Sequence, residues 1–333
     1  MAGTVSGPCL LLVLSLSIAC PATAVTAAAP PAAAGQTRPE SYRGWVAAAV
    51  EALERRGDPN SLATAAALEA IGGPNPAALE LADRASTLAP EDAPIGWIRL
   101  RLCAAVAGCD LRSAATAMRW VDPDNAAAWL PLLAAARKDK DVTEVDRVLA
   151  DMAQAAHFDF YWNRLVVLMF ESLKSVAKAL PASRGNSDSA RLLEVMNIAS
   201  AEMIPPFNVL IDVCREPGTA AQRDALGNTE RRESCLKVAK TLQQGDTVIA
   251  EMAGMGLEKR LVPADSREFR ALTERRHVLE WRTAQLAKFD APLLPWVGNA
   301  HARLRLAHMR SLRREEDVTL AILRGEGAAI DPP

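Results

Sequence analysis

The sequence predicts an all-α fold: stacked antiparallel helix pairs followed by a helical C-terminal region. Three observations carry this expectation. Ala, Leu, Arg and Glu are abundant, whereas the Val/Ile/Thr alternation of half-buried strands is scarce. Tryptophan and proline recur together with a period in the low thirties. Between the recurrences, Pro, Gly, Asp and Asn punctuate runs of helical length. With 50% hydrophobic and 23% charged residues, a chain of 333 has material for a large core. A net charge of −2 leaves no electrostatic footprint for nucleic acid, so no polyanion partner is expected.

The N-terminal segment reads as an export signal. No charged side chain precedes Arg38, and "PCLLLVLSLSIAC" is an apolar run too short to span a bilayer comfortably. "ATA" at 22–24 supplies the small residues a signal peptidase reads, which places cleavage after Ala24. The segment before the apolar run has no Lys or Arg, so its positive charge is the terminal amine alone. An alternative is acylation at Cys20, with Ser17 where lipoprotein signals usually carry Leu. Residues 25–39 are Ala/Pro-rich and read as a disordered leader. The expected organisation is therefore a signal over 1–24, the leader over 25–39 and helical repeats over 40–180. A C-terminal helical region over 187–325 and a flexible tail over 326–333 complete it. The expected location is periplasmic or secreted, with no transmembrane span in the mature chain.

The repeats are carried by "LAPEDAPIGWIRL", "VDPDNAAAWLPL" and "AHFDFYWNRL". Trp97, Trp129 and Trp162 are 32 and 33 residues apart, and Pro59, Pro90 and Pro123 are 31 and 33 apart. Each tryptophan is followed three positions later by a leucine: Leu100, Leu132 and Leu165. That pair lies on one helical face and is expected to fill the seam between the two helices of a unit, Trp129 included. Pro123 ends one helix, and Asp124 or Asn125 is expected to cap the next.

These residues resemble the tetratricopeptide repeat. The likeness rests on Trp97/Leu100, Trp129/Leu132, Pro123 ahead of Trp129 and the wording "DPDNAAAW", and it covers about residues 58 to 175. Arg101, Leu133 and Val166 stand where the family has a small residue. The resemblance implies a concave groove lined by the first helix of each pair. Its positions fall on Ile98, Leu102, Leu130, Ala134, Arg137, Phe160, Asn163, Val167 and Phe170. Arg137, Phe160, Asn163 and Phe170 are the candidate partner-binding residues, with Arg137 and Asn163 as the polar members that orient a ligand.

Cleavage after Ala24 leaves Cys103, Cys109, Cys214 and Cys235, with no Cys-x-x-Cys. Cys103 and Cys109 are too far apart on one helix to bond, but a turn at Gly108 brings them together. Cys214 and Cys235 flank a polar stretch that reads as a loop with one short helix. Local pairing, Cys103–Cys109 and Cys214–Cys235, is favoured because short loops close most easily.

Beyond residue 180 the period fades while helices continue. "LPASRGNSDSA" (180–190) is a breaker-rich connection, and Pro205–Pro206 opens a short helix. Two amphipathic runs flank Gly245. A long helix begins with Asp265 and Glu268 at capping-box spacing, and a final basic helix precedes Glu315–Asp317.

Chemistry is not signalled. His301 and His308, seven apart, are too distant along a helix to share a metal ion, and His157 and His277 lack neighbours at ligand spacing. Glu171 in "MFESLKS" reads as an exposed helix residue. Met252 and Met255 read as packing, with Gly254 and Gly256 admitting a neighbouring helix. Arg303, Arg310 and Arg314 fall within about 40° on a helical wheel and read as a solvated face. No cofactor or metal is expected. The expected function is an exported bacterial protein-interaction or scaffolding module of the cell envelope, not an enzyme. The alternative is an envelope enzyme acting on peptidoglycan or a related polymer, which requires converging carboxylates.

Overall fold

The computed structural model of the chain describes residues 40–180, 187–215, 226–290 and 299–333. The signal, Ala24, Cys20 and the leader lie outside the described residues, as do 181–186 of the breaker-rich connection and 216–225 between the second cysteine pair. Among the described residues every regular element is helical, and bridging is limited to the isolated parallel pair Asn125–His157.

The first helices are α1 (Glu40–Arg56), α2 (Pro59–Glu69), α3 (Pro76–Leu88), α4 (Ala93–Cys103) and α5 (Leu111–Val121). Their starts follow a local rule. Asp58 accepts from Ser61 N at 3.0 Å, Asn75 from Ala78 N at 2.9 Å and Asp92 from Ile95 N at 3.2 Å. A proline then occupies one of the first two helical positions, where its missing N–H costs nothing. The 3₁₀ turn Ala126–Trp129 continues into α6 (Leu130–Lys138), and α7 (Val142–Met152) and α8 (Trp162–Ser175) follow. Asn125 caps the 3₁₀ turn by accepting from Ala127 N at 3.0 Å, so of the two expected caps it is the later residue that acts.

Helix α2 sits at the centre. Every residue from Ser61 to Leu68 is buried, and α1, α3, α4 and α8 all pack on it. A helix that is apolar and small on all sides is stable only when surrounded, and its alanines let those neighbours come close. The return of α8 to α2 brings the last repeat helix back to the first helices of the array.

Two further helices, α9 (Asp188–Ile198) and α10 (Asn208–Val213), are joined through a π-helical turn, Ala199–Met203. Then come α11 (Leu226–Leu242), α12 (Val248–Leu261), α13 (Arg267–Asp290), α14 (Asn299–Ser311) and α15 (Glu315–Gly325). Helix α11 packs on α7, and α14 packs on α8 and α9, which tie the C-terminal helices to the repeat helices.

The helix boundaries sharpen the sequence reading. The cap of α13 is Ser266, whose Oγ accepts from Phe269 N at 3.0 Å, one residue after Asp265. The final basic helix stops at Ser311, because Glu315–Asp317 form the first turn of α15, where acidic groups meet the positive end of the helix dipole. In the tail, Ile330 O accepts from Arg282 at 2.7 Å and Asp331 accepts from it at 2.9 Å.

Gly254 is where α11 and α12 cross. A Cβ there would lie 2.6 Å from Ala239 O and 2.8 Å from Gln243 N, both backbone atoms that cannot step aside. Gly256 has open space around it, so close approach falls to Gly254 alone of the two. Gly254→Ala is expected to cost about 1–3 kcal/mol through overpacking. Gly256→Ala is expected to be neutral or to stabilise by a few tenths of a kcal/mol through helix propensity. Denaturant unfolding of both variants checks the contrast.

Candidate functional site

Both cysteine pairs are disulfides. Cys103 and Cys109 have Cα atoms 5.3 Å apart, brought together by a turn in which Gly108 takes φ +84°. Cys214, at the end of α10, joins Cys235 within α11 at a Cα distance of 5.7 Å. Helix α11 begins at Leu226, so much of the stretch expected as a loop is helical.

Most of the residues expected to line a concave groove are covered by the chain's own later segments, while Ala134 is exposed and Val167 half-buried. Phe160, Asn163 and Phe170 are buried, as are Ile98, Leu102 and Leu130. Phe160 packs against Trp97 and Phe158, with ring centroids 5.3 Å away in each case, and against Phe207 at 5.8 Å. Phe170 lies beneath the Arg191 guanidinium of α9 at 5.5 Å. Asn163 donates to Leu312 O at 2.8 Å and Arg313 O at 3.2 Å, fixing the α14–α15 link. Arg137 remains exposed, but it already pairs with Asp212 at 2.8 Å and donates to Val209 O at 3.3 Å. Trp97 Nε1 donates to Met203 O at 3.1 Å. Arg101 lies near Glu202, and burial pulls its guanidinium down to about 10. The inner face of the repeat helices is thus filled by Ala199–Val213. Of the four candidate groove residues, Phe160 and Arg137 hold this segment, Asn163 holds the α14–α15 link and Phe170 meets α9.

Trp129 departs from expectation as well. It belongs to the 3₁₀ turn, not to a regular helix, and its ring is half-buried. The Arg119 guanidinium of α5 covers it at 3.9 Å, and Arg147 of α7 stands 6.0 Å from its centroid. The ring lies between two outer helices, not deep in the core. Trp97 and Trp162 hold the core positions.

A polar centre that the sequence did not announce joins four loops distant in sequence. Asn125 Nδ2 donates to Asp159 O at 2.8 Å and its Oδ1 accepts from Asp159 N at 3.0 Å. Asp159 in turn accepts from Tyr161 N, repeating the short Asx turn that Asn125 makes with Ala127. Tyr161 takes the left-handed conformation, φ +60° and ψ 31°, unusual for a bulky side chain. That geometry turns its neighbours' N–H groups inward. Phe160 N and Trp162 N donate to the two oxygens of Asp246 at 2.9 and 2.7 Å. Successive N–H groups around a left-handed residue form a nest for negative charge.

Asp159 is 5% exposed and Asp246 0%. Burial, then the charge and hydrogen bonding of Asp159, push the Asp246 carboxyl well above the usual carboxylate range. From the other side Arg313 reaches Asp159 at 3.4 Å and donates to Gln244 O at 3.2 Å, while Glu315 N donates to Asp246 O at 2.8 Å. Outward from the pair, Asn125 donates to the Tyr161 hydroxyl at 2.9 Å, and that hydroxyl donates to Asp122 at 2.6 Å. Asp122 also meets His157 Nε2 at 3.1 Å.

No family model, curated protein or solved structure matches this chain. Its chemistry is therefore read from the residues. The converging carboxylates that an envelope enzyme requires do exist, as Asp159 and Asp246. Both are buried and bound to main-chain N–H groups, so they are placed to hold loops together. Glu171 is exposed and pairs with Arg310. Met255 packs with Leu272 and Leu279, with Met252 at the edge of that cluster. Arg314 leaves the expected stripe, because it lies beyond the end of α14, just before α15, and pairs with Glu251. Among the described residues no group of His, Cys, Asp and Glu is placed to hold a metal ion, and no helix is long and apolar enough to cross a membrane. The pair escaped sequence reading because its partners come from unrelated segments. The available signal was Gly245–Asp246 between two amphipathic runs, where a Cβ on Gly245 would meet Ala250 Cβ at 2.8 Å and Leu242 O at 2.9 Å.

Proposed function

We propose that this chain is an exported, tetratricopeptide-like helical module of the cell envelope that works by binding a protein or peptide partner. The two local disulfides support a compartment in which thiols oxidise. The observation that carries binding is Trp120, which is 89% exposed at the end of α5. Leu88, 58% exposed, ends α3 and precedes the corresponding turn of the preceding repeat. An indole left in water gains nothing for folding, whereas tryptophan is the residue type most enriched at the energetic centres of interfaces. The partner surface is accordingly placed on the outer edge of the repeats, since the inner face already holds Ala199–Val213.

Trp120→Ala is expected to leave the melting temperature within about 1 °C, as for other exposed positions, and to weaken partner capture at least tenfold. A photocrosslinker at the exposed Ala117, one turn before Trp120 on the same face of α5, expressed with the full leader in the envelope fraction, tests this. A discrete adduct that Leu88→Ala diminishes supports the reading. Uniform labelling or none, with capture unaffected by Trp120→Ala, removes it.

A further inference from the structure

The Asp159–Asp246 pair sits where the repeat helices meet the C-terminal helices. On the repeat side are Asp159 and the N–H groups of Phe160, Tyr161 and Trp162. On the C-terminal side are Gln244, Gly245 and Asp246, in the turn between α11 and α12, and residues 312–315 between α14 and α15. These last two loops are bound to each other by Arg313 on Gln244 O, Arg314 on Gly245 O and Glu315 N on Asp246 O. Glu315 also accepts from Val248 N at 2.9 Å, so the start of α12 moves with them.

We infer that Asp159 and Asp246 share one proton, and that its loss in alkaline solution opens this joint, making the pair a proton-operated latch between the two halves. Two carboxylates in one dry site repel strongly, and one proton converts that repulsion into a hydrogen bond. Three N–H donors suit one negative charge better than two. The surrounding groups fix the direction. Arg313 faces Asp159 from the α14–α15 link, partly exposed, and contributes attraction from one side. Tyr161 hydrogen-bonds Asp122, which also meets His157. On the opposite side Glu251 of α12 is buried against Arg314 and Arg275, with Glu316 near. Burial first, and the Glu316 charge next, push Glu251 up to about 7.

The sign is that of an acid whose folded form prefers the proton. The stabilisation is present at low pH and is lost as pH rises through the raised titration. Asp159→Asn keeps a hydrogen bond to Asp246 and removes the second charge, leaving Glu251 untouched. The two proteins therefore differ in the pair and in the Arg313 contact that it makes.

Amide exchange on the full mature chain reads the joint directly. In the wild type the protection factors of Phe160 and Trp162 are expected to fall at least tenfold, relative to α2 amides, as pH rises from acidic solution through the raised carboxyl titration. In Asp159→Asn the fall is expected to stay under about twofold. Aspartate-selective carbon labelling supplies a reading that needs no variant: one carboxyl must titrate well above the others. Equal alkaline loosening in both proteins, or every aspartate titrating in the ordinary range, overturns the inference. If Asp159→Asn fails to fold, Asp246→Asn takes its place, and the carboxyl titration of the wild type decides alone should both fail.

Discussion

Trp97→Ala is expected to lower stability by about 3–5 kcal/mol, the range for emptying a large aromatic site in a packed core. Its ring is fully buried and touches Phe160, which passes the contact on to Phe158 and Phe207. Its Nε1 is the donor for Met203 O, and the variant leaves that buried carbonyl without it. Trp97 thus contributes twice, once as volume and once as the peg that holds Ala199–Val213 against the repeats. Trp129→Ala is expected to cost about 1–2 kcal/mol, because the ring is half-buried and its main partner is the Arg119 cation. Urea unfolding with a shared m-value separates the two. Similar losses at both positions would contradict the placement of Trp97 at the core and Trp129 at the rim.

The contrast shows what a sequence period does and does not convey. Spacing found both tryptophans and their leucines, because a helix repeats its contacts whenever its residues do. It could not tell that the segment before Trp129 winds as a tighter 3₁₀ turn and leaves the ring half-buried. Helix starts were legible for a similar reason. A cap is a contact over three residues, so Asn125 is decided by its neighbours, and so is the turn at Gly108 that pairs Cys103 with Cys109. Gly254 was legible as a close approach, but Gly256 looks the same in sequence and differs only in what lies opposite. The inner face was misread because an open groove is a property of what is not packed there. Nothing in residues 58–175 says that Met203 and Phe207 come back to fill it. The acid pair was hidden most completely. Asp246 reads as an ordinary turn aspartate until Phe160 and Trp162 arrive, and its burial is a consequence of three loops meeting.

Removing the Cys214–Cys235 disulfide is expected to cost about 3 kcal/mol, and removing Cys103–Cys109 about 2 kcal/mol, from the loop entropy each closes. The sequence separations are 21 and 6 residues, so the longer loop frees more of the unfolded chain. Location widens the gap. Cys214 ends the segment that fills the inner face, and Cys235 lies in α11, which packs on α7. That bond therefore fastens the internal occupant to the C-terminal helices at one end, while Trp97 and Arg137 hold it from the repeat side. Cys103–Cys109, by contrast, secures a single turn that Gly108 already favours. Paired serine variants should lower the melting temperature by roughly 6–9 °C for Cys214/Cys235 and roughly 4–6 °C for Cys103/Cys109, at about 2–3 °C per kcal/mol in a chain of this size. The longer pair should also loosen the Trp97–Met203 contact, seen as a red shift of the buried indole emission before global unfolding. Loss of the shorter pair should leave that emission unchanged. If the serine variants show the reverse order, the occupant is held by packing alone and the disulfide next to it is not its fastening.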